Sequence, residues 1–222
     1  MSDEGSPERA LVLAYAPADR RSALAALLAL DHALALLLRT TREPALGQLR
    51  LAWWREALAR LDTEPAPAEP VLQGIASTLL PLGITGASLV PIVHGWEVLV
   101  EEEALDADAL ARFAAGRGTL FVAAARALGT SADDPVEAAG KGWALADLAR
   151  HLRAPEEASE ARRQAARALE PALGQRWSGR GRALGALAHL ARMDLALPAE
   201  APVPHGAPGR VARLFWHRLT GR

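Results

Sequence analysis

Arg50-Leu51-Ala52-Trp53-Trp54-Arg55-Glu56-Ala57-Leu58 sets two adjacent tryptophans between two arginines. On a helix, Arg50, Trp54 and Leu58 share one face by i, i+4 spacing, with Arg55 beside it. Two readings of this string stand. In the first, one tryptophan enters a core, the other stays at the surface, and the arginine stems cover apolar surface while their heads stay in water. In the second, Arg50, Trp54 and Arg55 line a cavity or a partner surface, because Trp and Arg most often anchor recognition.

Outward from this string the chain reads as helix almost everywhere. Ala and Leu recur at three- and four-residue spacing, and β-branched residues are sparse. Helices are expected over about 7–16, 18–39, 43–61, 71–82, 85–101, 106–128, 134–152, 156–173, 181–195 and 209–219, bounded by Gly, Pro, Asp, Ser or Thr. Ser6-Pro7 opens the first as an N-cap followed by proline, and residues 62–70 (DTEPAPAEP) form a proline-rich break. The segments 23–38 and 140–152 are apolar nearly all round, which predicts two central helices. The expected class is an all-α, single-domain helical bundle. Its expected parts are a disordered N-terminus (1–6), a helical domain (7–195), and a loop with a short basic C-terminal helix (196–222).

Composition narrows the function. Of 222 residues half are hydrophobic, enough for a sizeable core. The formal net charge is −1, which gives no drive toward nucleic acid, and none is expected as a partner. There is no cysteine, so disulfides and thiolate metal sites are excluded. The acidic start Met1-Ser2-Asp3-Glu4 is unlike a secretory signal, and the run 23–38 is read as falling short of a membrane span. A cytoplasmic protein, at most peripheral to an inner membrane, is the expectation. No P-loop, G-x-G-x-x-G, H-E-x-x-H or G-x-S-x-G string occurs.

Two segments together resemble the squalene/phytoene synthase family. One is Leu30-Asp31-His32-Ala33-Leu34-Ala35-Leu36-Leu37-Leu38-Arg39, which leads through Arg42-Glu43-Pro44 into the double-tryptophan string. The other is Gly140-Lys141-Gly142-Trp143-Ala144-Leu145-Ala146-Asp147-Leu148-Ala149-Arg150-His151. His94-Gly95-Trp96-Glu97 and Gly116-Arg117-Gly118-Thr119 sit between them. The resemblance covers residues 8–195 and implies a truncated isoprenoid-synthase bundle. In active members it implies prenyl diphosphates bound through Mg²⁺ that carboxylates on two facing helices hold.

Here the positions matching the first aspartate motif are Ala35, Leu36 and Arg39, and those matching the second are His151 and Pro155. None is an aspartate, and Arg39 inverts the charge. The resemblance is therefore to the family's short non-catalytic members, of the complex I assembly-factor type. It implies no catalytic residues, no metal site and no cofactor, with Mg²⁺ only if the chain is an active transferase after all. Expected partners are an isoprenoid or phospholipid, or a protein, with peripheral membrane contact through the C-terminal helix.

The remaining candidates for ligand contact are Arg39, Asp147, Arg150 and His151. Asp147 and His151 are i, i+4 neighbours, readable as a self-satisfied local pair or as a polar cluster at a cavity mouth. Arg39, Arg42, Arg150 and Arg153 lie near helix C-termini, where the helix dipole alone favours cations. The sharper reading gives Arg39 and Arg150 an anionic head group to bind without metal. If helices 23–38 and 140–152 face each other, Asp31, His32, Asp147 and His151 offer donors for a transition metal.

Overall fold

The computed structural model describes residues 7–41 and 43–222. The expected disordered segment 1–6 and Arg42 lie outside the described residues. Those described form ten α-helices and no strand: α1 (Pro7–Tyr15), α2 (Arg21–Thr40), α3 (Pro44–Arg60), α4 (Pro70–Thr78), α5 (Val90–Glu101), α6 (Ala107–Leu128), α7 (Val136–Ala149), α8 (Pro155–Gly174), α9 (Arg182–Leu195) and α10 (Pro208–Thr220).

The ends of these helices obey local chemistry. Proline occupies the first turn of α3, α4, α5, α8 and α10, where its missing N–H costs nothing. Asp106 caps α6 by accepting from the Ala109 N–H at 2.8 Å, and Gly129 ends it in the left-handed conformation. The proline-rich break after α3 is anchored: the Asp62 carboxylate accepts from the Gly86 and Ala87 N–H groups at 2.6 and 3.0 Å.

The two helices expected at the centre do not pack on each other as a main contact. α2 and α7 each pack against α6, which also touches α5, α8 and α9. α7 is central as expected, packed on α6, α8 and α9, and it shares that place with α6, whose Phe113, Leu120, Phe121 and Leu128 are fully buried. The sequence signal for α6 was weaker because glycine, arginine and threonine interrupt its apolar pattern around Gly116-Arg117-Gly118-Thr119.

The helical stretch Ala18–Thr40, which extends at both ends the run 23–38 read as falling short, is by length and composition long and apolar enough to cross a membrane. Half of its most apolar window is buried inside the bundle, and Asp31 within it is held by an internal arginine. The C-terminal helix is part of the bundle: α10 packs on α9 and α1, and Arg210 joins Glu8 of α1 to Asp194 of α9 through ion pairs of 2.6 Å each.

Candidate functional site

The site is built from three helices that glycine lets touch. A Cβ on Gly95 of α5 would lie 2.4 Å from the Arg117 backbone nitrogen, and one on Gly116 would lie 2.6 Å from Gly95 Cα. On the other contact, a Cβ on Gly140 of α7 would lie 2.6 Å from the Gly118 carbonyl oxygen. The α6 backbone is thus in direct contact with both neighbours at the residues flanking Arg117. The next aromatic residues along those neighbours, Trp96 and Trp143, then reach the Arg117 side chain.

Arg117 is buried, with 3 % of its surface exposed. Its Nε and Nη2 donate to the two carboxylate oxygens of Asp31, each at 2.8 Å. Its Nη1 donates to Asp147 Oδ2 at 2.6 Å. The Trp96 and Trp143 rings stand 4.6 and 4.4 Å from the guanidinium carbon, within cation–π range. Burial works against the Arg117 charge, but Asp31 and Asp147 outweigh it and hold the group firmly protonated. Burial likewise pushes the Asp147 carboxyl up, and the Arg117 guanidinium, with His151 and Arg39, outweighs that and holds it below its ordinary value. The arrangement leaves one orphan: Trp96 Nε1 is buried with no hydrogen-bond partner.

This triad forms the inner end of a cavity of about 1010 Å³. Its walls are apolar where Leu28, Leu38, Leu99, Leu148, Leu152 and Leu187 meet. Its exposed lining residues carry both signs, Arg39 on one hand and Glu43, Glu101 and Glu103 on the other.

Of the residues singled out from sequence, Arg39, Asp147, Arg150 and His151 all line this cavity. Arg39 has no hydrogen bond or ion pair among the described residues, and its charge is felt at Asp147. Arg150 is already engaged, donating to the Asp194 and Ala201 carbonyls, so it pins the loop after α9. His151 Nδ1 lies 2.8 Å from the Asp147 carbonyl oxygen and 3.8 Å from Asp147 Oδ1, while Asp147 Oδ2 accepts from Arg117, so the local pair is joined to a larger polar cluster.

Arg50, Trp54 and Arg55 are not brought to the cavity. Arg50 donates to Thr41 Oγ1 at 2.9 Å, Arg55 pairs with Glu97 at 3.0 Å, and Trp54 is 8 % exposed within the core. Trp53 is 47 % exposed and meets Trp54 edge-on, so one ring of the pair is inside and one outside. Asp31 and Arg117 were legible as residue types, but their pairing across 86 positions was not. The Gly-X-Gly and Gly-Trp strings around residues 95, 116 and 140 were its available signal.

The magnesium that the family resemblance implies can be tested against these donors. Mg²⁺ requires near-octahedral oxygen ligation at about 2.0–2.1 Å. Both Asp31 oxygens and one Asp147 oxygen are taken by Arg117, whose charge repels a cation; Asp147 Oδ1 remains, 3.8 Å from His151 Nδ1. Among the described residues no group of three or more His, Asp or Glu is arranged to hold a metal. The residues do not fit the metal.

Comparison with known proteins supplies one match. Residues 2–118 match the squalene/phytoene synthase family, a segment that runs from the N-terminus to Arg117-Gly118 and includes Asp31 and the double-tryptophan string. The α7 segment, which resembles the second motif helix, lies beyond it. No curated protein and no solved structure matches. With the match spanning more than half of the chain, and with an all-α fold of the isoprenoid-synthase kind, the chain belongs to the squalene/phytoene synthase family.

Proposed function

We propose that this family member is a non-catalytic lipid-binding protein that holds an isoprenoid or similar chain in the cavity between α2, α5 and α7. The observation that carries the reading is Arg117 between Asp31 and Asp147. Prenyl transfer in the family draws on carboxylates of two helices that hold Mg²⁺ against a diphosphate. Here the positions matching those carboxylates are Ala35, Leu36, Arg39, His151 and Pro155, and the carboxylates that α2 and α7 do carry, Asp31 and Asp147, are tied to Arg117. Displacing it would strand a buried guanidinium, at a cost of about 3–5 kcal/mol for breaking a buried pair.

The cavity supports the lipid half of the reading. Its volume of about 1010 Å³ stands at the top of the usual ~300–1,000 Å³ range for small-molecule sites. Each methylene moved from water onto the leucine walls contributes roughly 0.8 kcal/mol. At the exposed end, Arg39 offers donors to a phosphate or carboxylate head without a metal. Glu101 and Glu103 across the rim disfavour a multiply charged head such as a bare diphosphate and favour a singly charged or neutral one.

The test is a titration of tryptophan fluorescence with farnesyl monophosphate and with farnesol in EDTA, since Trp96 and Trp143 line the cavity. The expected result is saturable quenching, lost when Ala35→Phe narrows the cavity. Arg39→Ala should weaken the monophosphate about tenfold, or ~1.4 kcal/mol, and leave farnesol unchanged. Absence of quenching by either ligand would overturn the reading.

A second reading, a protein-assembly role, is favoured by one observation. Leu46, Leu49 and Trp53 are 45, 68 and 47 % exposed at i, i+3, i+7 along α3, an apolar stripe where a surface helix is ordinarily polar. It predicts that Leu49→Glu abolishes a protein contact without altering lipid titration.

A further inference from the structure

α10 is inverted for a helix on a protein surface. Its inward side carries Arg210, Leu214 and His217, all buried. Arg210 is ion-paired to Glu8 and Asp194, and His217 Nε2 lies 3.1 Å from the Arg182 carbonyl oxygen. The Arg182 guanidinium in turn donates to the His217 and Arg218 carbonyls at 2.7 Å each, satisfying the end of the helix. The outward side carries Phe215, Trp216 and Leu219, which are 60, 56 and 60 % exposed. Single exposed apolar residues are ordinary, but three large ones at i, i+1, i+4 form one patch.

Along the segment that carries this patch the charges have one sign. Residues 201–222 contain Arg210, Arg213, Arg218 and Arg222 and no Asp or Glu. Arg218 and Arg222 are exposed. Arg176, also exposed, donates to the Thr220 carbonyl at 3.0 Å, which brings another cation to the helix end. Exposed Trp, Phe and Leu with arginine at their margin are the composition of a segment that lies in a membrane interface. A second copy of the same face is a poor occupant: two-fold pairing would set Arg176, Arg218 and Arg222 near their own copies.

We propose that the outer face of α10 docks on a bilayer bearing anionic head groups. Phe215, Trp216 and Leu219 enter the boundary between head groups and acyl chains, and Arg218, Arg222 and Arg176 meet the lipid phosphates. The polar network on the inward side keeps α10 fastened to the bundle, so docking needs no unfolding. This surface is independent of the cavity and stands whether or not the cavity holds a lipid.

The test is flotation of the full chain with vesicles of phosphatidylcholine alone and with about one quarter phosphatidylglycerol, at about 0.1 and 0.5 M salt. The chain should float with the mixed vesicles at low salt, and at least tenfold less with neutral vesicles or at high salt. Phe215→Ser with Trp216→Ser should lower flotation at least tenfold while the melting temperature falls by only a few degrees, because both side chains are mostly solvent-facing. Arg222→Glu should weaken it several-fold. Ala35→Phe, which narrows the cavity, should float as the wild type does, separating docking from ligand uptake. Undiminished flotation of the Phe215/Trp216 variant, or no flotation with anionic vesicles, overturns the proposal. So does a concentration-dependent dimer that the same variant dissolves, since the face would then belong to a second copy.

Discussion

Arg117→Met removes the guanidinium and keeps most of the volume. Asp31 is then left as a carboxylate with 10 % of its side chain exposed and both hydrogen-bond donors gone. Stranding one partner of a buried pair costs about 3–5 kcal/mol. Asp147 adds little, since 42 % of its side chain is exposed and water can take over its solvation. Loss of the cation from between Trp96 and Trp143 adds ~0.5–2 kcal/mol, partly returned by sulfur–aromatic contact. The expected destabilisation is about 4 kcal/mol, a fall of roughly 8–16 °C in melting temperature for a chain of this size. Urea unfolding followed by circular dichroism measures it. Asp31→Leu placed in the same chain should recover at least half, because replacing both buried partners with apolar groups removes the stranded charge. If Arg117→Met falls within ~1 kcal/mol of the wild type, the pair is behaving as a solvated one and the reasoning fails.

Gly140→Ala should destabilise by ~1–3 kcal/mol, because its Cβ would meet the Gly118 carbonyl oxygen at 2.6 Å and part α6 from α7; an unchanged unfolding midpoint would mean that the helices do not touch there. Trp54→Ala should cost ~3–5 kcal/mol and Trp216→Ala under ~1, since the rings are 8 and 56 % exposed; equal melting temperatures would contradict their placement. Acid should loosen the C-terminal end before it titrates the carboxylates. His189 is lowered to about 3 by burial, His217 and Arg213, and His217 to about 4 by burial and the arginines at 182, 213 and 218. Both are held neutral when folded, so their contribution is full above the unfolded value of 6.5 and is lost as pH falls toward 4. Stability should fall by ~2 kcal/mol per histidine between about pH 6.5 and 5, and His189→Phe should flatten that slope; a profile indifferent to the substitution would remove the buried pair from the account.

Much of the bundle was legible because its signals are local. Proline in the first turns of α3, α4, α8 and α10, the Asp106 cap and the Gly129 stop fix helix ends within a residue or two. The place of each helix was less so. Ala/Leu content marks 23–38 and 140–152 as apolar, and α7 is indeed central, but it shares that place with α6, where the glycines that permit backbone contact also dilute the apolar pattern. The double-tryptophan string carries the family resemblance, yet its arginines do not line the cavity: Arg50 donates to the hydroxyl of Thr41, a lining residue, and Arg55 to the Glu97 carboxylate. Asp31 and Asp147 were visible as carboxylates on two motif-like helices. That a single arginine of α6 joins them is a long-range fact that no spacing along the chain encodes.

On the proposed function no Mg²⁺ is held against a diphosphate, because the motif positions lack aspartate and Arg117 ties up Asp31 and Asp147. Release of inorganic diphosphate from farnesyl and geranylgeranyl diphosphate, in Mg²⁺ and in EDTA, tests it most directly. The expected result is no release above the protein-free rate in either condition, for the wild type and for Arg117→Met alike. Mg²⁺-dependent turnover by the wild type, abolished by EDTA, would contradict it.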